Sequence, residues 1–169
     1  LLTEVMKHAY ADRSKYLGDP DFYDVPIKQL LSKQYSKDLA DQISGMRTPD
    51  GQIYEGDLKK YDESPDTTHF SIIDSKGNAV SNTYTLGSSF GSGVTIKKGG
   101  FLMNNQMRNF SHFYGRDDMQ YGTSEANKLE PGKRMISTQT PTLVFDPNGD
   151  LFMILGSPGG GRIPNIITQ

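Results

Sequence analysis

The chain has 169 residues, the length of about one domain, and only 34% of them are hydrophobic, with no apolar run near the ~18 residues that cross a membrane. A formal net charge of −2 argues against a duplex nucleic-acid binder, which presents a basic face. The absence of cysteine excludes disulfides, thiol catalysis and cysteine zinc sites.

The first predicted element is an amphipathic helix over residues 1–17, because its apolar residues recur at helical spacing. Gly18 and Pro20 are expected to end it. The apolar pattern is already under way at the first residue, and the chain stops inside the apolar stretch 162–169. We therefore expect a fragment of a larger protein, with part of its apolar surface packed against other segments.

A second helical stretch is predicted from about Pro26 to Ile43, broken near Ser32, with Gly45 as a C-terminal cap. Residues 46–66 hold prolines, glycines and mixed charge without periodicity, which predicts an exposed linker. Residues 1–66 are thus expected to form a helical region that ends in a linker.

Residues 67–169 are predicted to be a β-rich region with the character of a meander. Strands are predicted at 68–74, 79–86, 94–96, 101–103, 142–145 and 151–155. Residues 111–134 are predicted to be a polar loop, and the glycine-rich turn 156–161 is expected to open a final helix. The predicted fold class is α+β.

The change from linker to strand falls between Asp66 and Thr67, and it has two interpretations. Thr67 could simply begin a threonine-rich strand. Alternatively, cleavage before Thr67 would give it a free α-amine, with a pKa near ~8, that could act as the base for its own hydroxyl. The residues alone leave both interpretations open.

The turn Gly156-Ser-Pro-Gly-Gly-Gly-Arg162 could hold an anion, because glycines allow close backbone approach and a helix N-terminus points N–H groups outward. It lacks the Lys-Ser/Thr ending of a phosphate loop, so a plain strand-to-helix turn is the alternative. The three histidines are scattered and form no His-Glu-x-x-His pair, so we expect no metal site and no other cofactor.

Thr67-Thr-His-Phe-Ser-Ile-Ile-Asp74 resembles the start of the small subunit of gamma-glutamyltranspeptidases. Further segments resemble that family in the family's own order over nearly the whole chain: 10–22, which resembles the late part of the large subunit, then 82–85, 102–107, 133–138, 140–142 and 156–160. The resemblance implies a partial N-terminal-nucleophile hydrolase fold, an αββα sandwich. It implies that residues 1–66 end the large subunit and that residues 67–169 begin the small one.

The resemblance also implies a chemistry of self-cleavage and acyl transfer. The bond between Asp66 and Thr67 would be cut by Thr67 itself, and the new amine would then serve as the base for attack on γ-glutamyl amides such as glutathione. By the same resemblance, Thr85 orients Thr67, and the backbone N–H groups of Gly159 and Gly160 form an oxyanion hole.

The implied substrate contacts include two departures from the family. Gln106 matches a position near the α-amine of the donor, and Ser137 and Thr138 match hydroxyl residues that hold its α-carboxylate. Position 109 is asparagine where the family typically has aspartate, and position 87 is glycine where many members have asparagine. The departures predict weaker recognition of an α-ammonium, unless Asp117 or Asp118 replaces the missing charge.

Three functions therefore remain open. The first is a self-processing gamma-glutamyl hydrolase or transpeptidase, the second is a glutaryl- or cephalosporin-acylase-like amidase, and the third is an inactive fragment of such an enzyme. The expected partners are a small acyl amide and the remainder of both subunits, with no nucleic acid. The resemblance implies a periplasmic or secreted location.

Overall fold

The computed structural model of the chain describes residues 1–49, 53, 66–111 and 124–169. The chain forms two compact units: the first contains Leu1–Tyr61 and Arg108–Ile136, and the second contains Asp62–Met107 and Ser137–Gln169. The predicted boundary between the large-subunit region 1–66 and the small-subunit region 67–169 is a point of chain cleavage and not a boundary between compact units. It stays a prediction. Most of the predicted linker 46–66 lies outside the described residues.

The helices of the first unit follow the predicted pattern. They are α1, Leu2–Tyr16; α2, Ile27–Leu30; and α3, Lys33–Ala40. The break at Ser32 is confirmed, because its side chain caps α3 by accepting the Tyr35 N–H at 3.2 Å. The prediction for Gly45 is wrong: α3 ends at Ala40, and the N–H groups of Gln42 and Ile43 close it by bonding to carbonyl oxygens three residues earlier.

The turn after α1 packs closely against a segment far along the chain. A Cβ atom on Gly18 would lie 2.0 Å from the carbonyl oxygen of Ala126, so only glycine fits there. Asp19 is 3% exposed and accepts hydrogen bonds from the backbone N–H of Arg134 at 2.8 Å and from its Nε at 3.0 Å. The predicted loop 111–134 thus contains structure, including the 3-10 helix Glu125–Asn127.

The Asp19–Arg134 ion pair should make unfolding sensitive to acid. Hydrogen bonds from Arg134 hold the pKa of Asp19 well below its usual range. A depressed folded-state pKa means that the contribution to stability is complete above the ordinary aspartate pKa of about 4 and is lost as the pH falls below it. We expect the urea midpoint of the wild type to exceed that of Asp19→Asn at pH 7. The difference between the two midpoints should shrink as the pH falls below about 4.

The matched control is Asp41→Asn. Asp41 is 68% exposed and lies 3.6 Å from Lys37, so its ion pair is screened by solvent. A similar pH-dependent difference for Asp41→Asn would contradict the assignment of the acid effect to Asp19.

The strands of the second unit form three antiparallel pairs. They are β1, Thr67–Ile73, with β2, Ala79–Thr85; β3, Thr95–Ile96, with β4, Phe101–Leu102; and β5, Thr142–Phe145, with β6, Leu151–Leu155. The Ser81 hydroxyl donates to the Leu155 carbonyl oxygen at 2.9 Å, which joins β2 to β6. The helix α4, Ile163–Thr168, follows the glycine-rich turn as predicted.

The β1–β2 register is fixed by its turn. The carboxylate of Asp74 accepts the backbone N–H groups of Lys76 at 2.8 Å and Asn78 at 2.9 Å, and Gly77 supplies the left-handed residue with a φ of +84°. These hydrogen bonds lower the pKa of Asp74. Because the turn sets the register, it also sets which residue lies opposite Thr67 at the far end of the hairpin.

The predicted α+β class is confirmed, while the αββα sandwich stays a prediction. The buried apolar residues among those described are Phe110, Ala126, Ile136 and Ile163. Many strand residues keep exposed apolar side chains, among them Phe70, Ile72, Phe145 and Phe152. Within the described ranges, no helix is long and apolar enough to span a membrane.

Candidate active site

Thr67 and Thr85 lie opposite each other at the open end of the first hairpin. Thr67 is the first residue of β1, Thr85 is the last residue of β2, and the register pairs the two. Both side chains are half-buried. The candidate nucleophile and the residue expected to orient it are therefore neighbours across one strand pair.

The peptide bond before Thr67 is held by a neighbouring hydroxyl. The Thr85 hydroxyl donates to the Asp66 carbonyl oxygen at 2.8 Å, and its own oxygen accepts the Gly87 N–H at 3.0 Å. Because the N–H of Gly87 is only a donor, it fixes the rotor of Thr85 with the proton toward Asp66. The Ser89 hydroxyl donates to the Asp66 carboxylate at 2.7 Å and fixes the side chain.

This arrangement prepares one carbonyl group for nucleophilic attack. A hydrogen bond to the carbonyl oxygen of Asp66 favours the negative charge that would develop there when a nucleophile adds to the carbon. The hydroxyl of Thr67 belongs to the residue next in the chain, so it can reach that carbon by forming a five-membered ring. The site can therefore support an N-to-O acyl shift at this bond.

The space beside Gly87 is filled by the side chains of the following loop. Gly87 has a φ of +96°, and a Cβ atom on it would lie 2.1 Å from Oδ1 of Asn105 and 3.3 Å from Nε2 of Gln106. The Asn105 amide donates to the Ser88 hydroxyl at 2.9 Å, and Gln106 Nε2 lies 3.4 Å from the Thr85 carbonyl oxygen. Gln106 is thus brought to the end of β2, and an asparagine at position 87 would require the Asn105 side chain to move.

The glycine-rich turn has two residues in backbone conformations that favour glycine. Gly159 and Gly160 have φ values of +138° and +56°, which L-residues with a Cβ atom rarely adopt. The 3-10 helix Gly160–Arg162 follows and leads into α4. That these two N–H groups face the Thr67 hydroxyl stays a prediction.

His69 connects β1 to this turn. A Cβ atom on Gly156 would lie 2.1 Å from Cε1 of His69, so the ring lies directly against the backbone of Gly156. One ring nitrogen is 2.7 Å from the Thr83 hydroxyl and the other is 3.0 Å from the Ser71 hydroxyl. Strand alternation places His69 on the same face as Thr67, and the ring thereby supports the turn that carries the two glycines.

The expected contacts for the donor's α-groups fall in both units. Ser137 and Thr138 belong to the second unit with Thr67; Ser137 Oγ accepts the Gln139 N–H at 3.1 Å, and Thr138 is 9% exposed. Asn109 belongs to the first unit, ends the 3-10 helix Gln106–Asn109 and is 6% exposed. Asp117 and Asp118 lie outside the described residues.

Sequence reasoning missed three residues that contact these positions: His69, Ser89 and Asn105. His69 could have been found from strand alternation, because it lies two residues after Thr67. Ser89 and Asn105 act through loop contacts that leave no periodic signal.

In the ranges that the structure describes, no group of three or more His, Cys, Asp or Glu side chains could hold a metal ion.

A family model described as gamma-glutamyltranspeptidase matches residues 1–169. The glutathione hydrolase proenzyme of Escherichia coli strain K12 is 45% identical to the chain over 172 residues, which cover 100% of the chain and 29% of that protein. The chain therefore spans less than a third of the length of this curated relative.

Two solved structures are similar in both sequence and fold. A gamma-glutamyltranspeptidase from Pseudomonas nitroreducens, complexed with L-DON, has a TM-score of 0.54 and 50% identity, and the match covers 60% of this chain and 53% of that chain. An acivicin-inhibited gamma-glutamyltranspeptidase has a TM-score of 0.53 and 44% identity over 60% of this chain and 54% of that one. In that second enzyme, the C-terminus has critical roles in autoprocessing and catalysis.

Proposed function

Because the chain belongs to the gamma-glutamyltranspeptidase family, we propose that it is part of a self-processing hydrolase and transferase for γ-glutamyl amides such as glutathione. The observation that carries this proposal is the hydrogen bond from the Thr85 hydroxyl to the Asp66 carbonyl oxygen, at 2.8 Å, directly before Thr67. The similar Escherichia coli protein is named a proenzyme, which supports a chain that is cut.

Self-cleavage begins when the Thr67 oxygen adds to the Asp66 carbonyl carbon. The Thr67 hydroxyl loses its proton, and the negative charge on the Asp66 oxygen is stabilised by Thr85. Collapse breaks the carbon–nitrogen bond, the nitrogen takes up a proton, and Asp66 is left as an ester on Thr67. Water hydrolyses the ester, which releases the Asp66 carboxyl group and leaves Thr67 with a free hydroxyl and a free α-amine.

Turnover uses the groups that cleavage creates. The Thr67 amine, with an intrinsic pKa near ~8, takes the hydroxyl proton while the oxygen attacks the γ-carbonyl carbon of the donor. The N–H groups of Gly159 and Gly160 stabilise the oxyanion, and the donor's amine leaves with the proton. Water or an acceptor amine then releases the γ-glutamyl group from Thr67.

The contacts for the donor's α-groups are assigned by the family resemblance. Gln106 and Asn109 contact the α-amine, and Ser137 and Thr138 hold the α-carboxylate. Gly87 and Asn109 also favour a second candidate, a glutaryl- or cephalosporin-acylase-like amidase, because an amide cannot neutralise an ammonium group. The two candidates differ in whether the preferred donor carries an α-ammonium.

The remaining parts of the proposal concern the surroundings of the site. The exposed apolar strand residues, such as Ile72 and Phe152, pack against the remainder of the large and small subunits in an αββα sandwich. The enzyme acts in the periplasm or outside the cell, as the family resemblance implies.

The deciding experiment is an intact-mass measurement of the purified full-length protein under denaturing conditions, paired with hydrolysis of a γ-glutamyl anilide. We expect two chains whose masses place the cut between Asp66 and Thr67, and release of the aniline. A single uncut chain without amidase activity would contradict the proposal.

Substitution of Asn109 by aspartate should shift the donor preference toward γ-glutamyl groups. A charged hydrogen bond contributes roughly 1.5–3 kcal/mol, which corresponds to a factor of about 10 to 100 in kcat/KM. The measurement is the ratio of kcat/KM for γ-glutamyl and glutaryl anilides before and after the substitution. Gly87→Asn is not an equivalent route, because it would require the Asn105 side chain to move and would strain a backbone with a φ of +96°.

Asn104→Asp is the matched control for the added charge. Asn104 is exposed, and its side-chain oxygen accepts the Gln106 N–H at 3.0 Å, which a carboxylate would also do. We expect the donor ratio to stay near the wild-type value. If Asn109→Asp changes the ratio no more than Asn104→Asp does, position 109 is not the contact for the amine.

A further inference from the structure

Asn127 is fully buried, and both ends of its amide are hydrogen bonded. The residue is 0% exposed and ends the 3-10 helix Glu125–Asn127. Nδ2 donates to the carbonyl oxygen of Asn109 at 2.7 Å, and Oδ1 accepts the N–H of Ile136 at 3.1 Å. Because one partner is only an acceptor and the other only a donor, the orientation of the amide follows from its partners.

The backbone around Asn127 reinforces this connection. Its carbonyl oxygen accepts the Ser111 N–H at 2.9 Å, and Ser111 pairs with Lys128 in a parallel bridge. Ser111 is 2% exposed and Asn109 is 6% exposed. The segment 109–111 is therefore fixed to residues 127 and 128 by side-chain and backbone bonds in a site that excludes water.

Of the two positions that Asn127 fixes, one is a proposed contact for the α-amine and the other directly precedes the proposed contacts for the α-carboxylate. Asn109 is the proposed contact for the α-amine. Ile136 directly precedes Ser137 and Thr138, the proposed contacts for the α-carboxylate. One side chain thus restrains the backbone of Asn109 and the backbone directly before Ser137.

We propose that Asn127 is a positioning residue for donor recognition: it fixes the backbone of Asn109, the proposed contact for the α-amine, and the backbone of Ile136, which directly precedes the proposed contacts for the α-carboxylate. This role rests on the proposed function. It differs from a general role in folding because it acts on donors that carry α-groups and not on the self-cleavage chemistry of Thr67.

Asn127→Asp is the sharpest test, because it keeps the size of the side chain and removes the Nδ2 donor. A carboxylate oxygen would then face the carbonyl oxygen of Asn109, and the two acceptors repel each other. Asn127→Ser is the second variant, since its shorter side chain makes neither long-range bond and leaves room for water. Ser111→Ala is the matched control, because it removes only the long 3.5 Å hydrogen bond from Asn127 Nδ2 to the Ser111 hydroxyl, while the hydrogen bonds of Asn127 to Asn109 and Ile136 remain.

The measurement compares two anilide donors in the full-length protein. The γ-glutamyl anilide carries both α-groups, and the butyryl anilide has the same acyl chain length up to the α-carbon with neither group. We expect both Asn127 variants to be cut before Thr67 and to lose roughly 10- to 100-fold in the ratio of kcat/KM for γ-glutamyl over butyryl anilide. The loss should appear mainly in KM, and Ser111→Ala should keep the wild-type ratio.

Several results would overturn the role of Asn127. Processed variants that lose activity on both anilides by the same factor, or on neither, would contradict positioning of the α-groups. Failure of both variants to self-cleave would assign Asn127 to folding instead. A wild-type protein that hydrolyses neither anilide would contradict the proposed function itself, whereas an active wild type with unchanged variants contradicts only the inference.

Discussion

Replacement of Thr67 by alanine is expected to leave a single uncut chain with no amidase activity. The substitution removes the hydroxyl oxygen that would attack the Asp66 carbonyl carbon through a five-membered ring, so the ester between Asp66 and residue 67 cannot form. It also leaves the α-nitrogen of residue 67 in a peptide bond, where it has no basic lone pair. Intact mass under denaturing conditions and release of aniline from a γ-glutamyl anilide report the two losses separately.

Thr67→Ser is the control for this loss. Serine keeps the hydroxyl oxygen and the same ring size, so we expect cleavage before residue 67 and measurable amidase activity. The β1–β2 pairing should survive in both variants, because the register is set by the turn at Asp74 and not by the side chain of Thr67. A Thr67→Ala protein that is cut between residues 66 and 67 would refute the mechanism.

The elements that sequence patterns predicted are those whose signals are local. The break before α3 follows from Ser32, whose side chain caps the next turn of the same helix. The β1–β2 and β5–β6 hairpins follow from aspartates that bind N–H groups two and four residues later, at Asp74 and Asp146. In each case the stabilising partners lie within a few residues, so the sequence window contains the cause.

The elements that sequence patterns missed depend on distant partners. The 3-10 helix Glu125–Asn127 lies in a stretch predicted to be a loop, and its contacts include the Ser124 hydroxyl bonded to the Lys15 carbonyl oxygen at 3.0 Å and the close approach of Gly18. These partners are more than 100 residues away in the chain. The hydrophobic periodicity of a short stretch of sequence contains no information about such a contact.

The same distinction between local and distant contacts applies to the residues of the candidate site. The family resemblance predicted Thr85 beside Thr67, and the register of the first hairpin pairs the two. The filling of the space beside Gly87 by Asn105, and the double hydrogen bond of Asn127, depend on loop geometry that no pattern encodes. The pairing of Thr67 with Thr85 was therefore easier to predict than the side chains packed around them, while their roles in the reaction stay predictions.

Thr85→Val should slow self-cleavage by about 10²- to 10³-fold, the cost of removing one donor from an oxyanion site. Valine has nearly the shape of threonine, so the β1–β2 pairing is kept while the 2.8 Å hydrogen bond to the Asp66 carbonyl oxygen is lost. The measurement is a time course of chain cleavage after a pulse of synthesis, followed on denaturing gels.

Thr85→Ser separates the hydroxyl group from the side-chain shape in the same time course. Serine can still accept the Gly87 N–H and donate to Asp66, so its cleavage rate should stay within about tenfold of the wild type, well above that of Thr85→Val. If Thr85→Val is cut as fast as Thr85→Ser, the hydroxyl does not stabilise the charge on the Asp66 oxygen, and another donor must do so. The hydrogen bond would then serve only to hold the uncut peptide against β2.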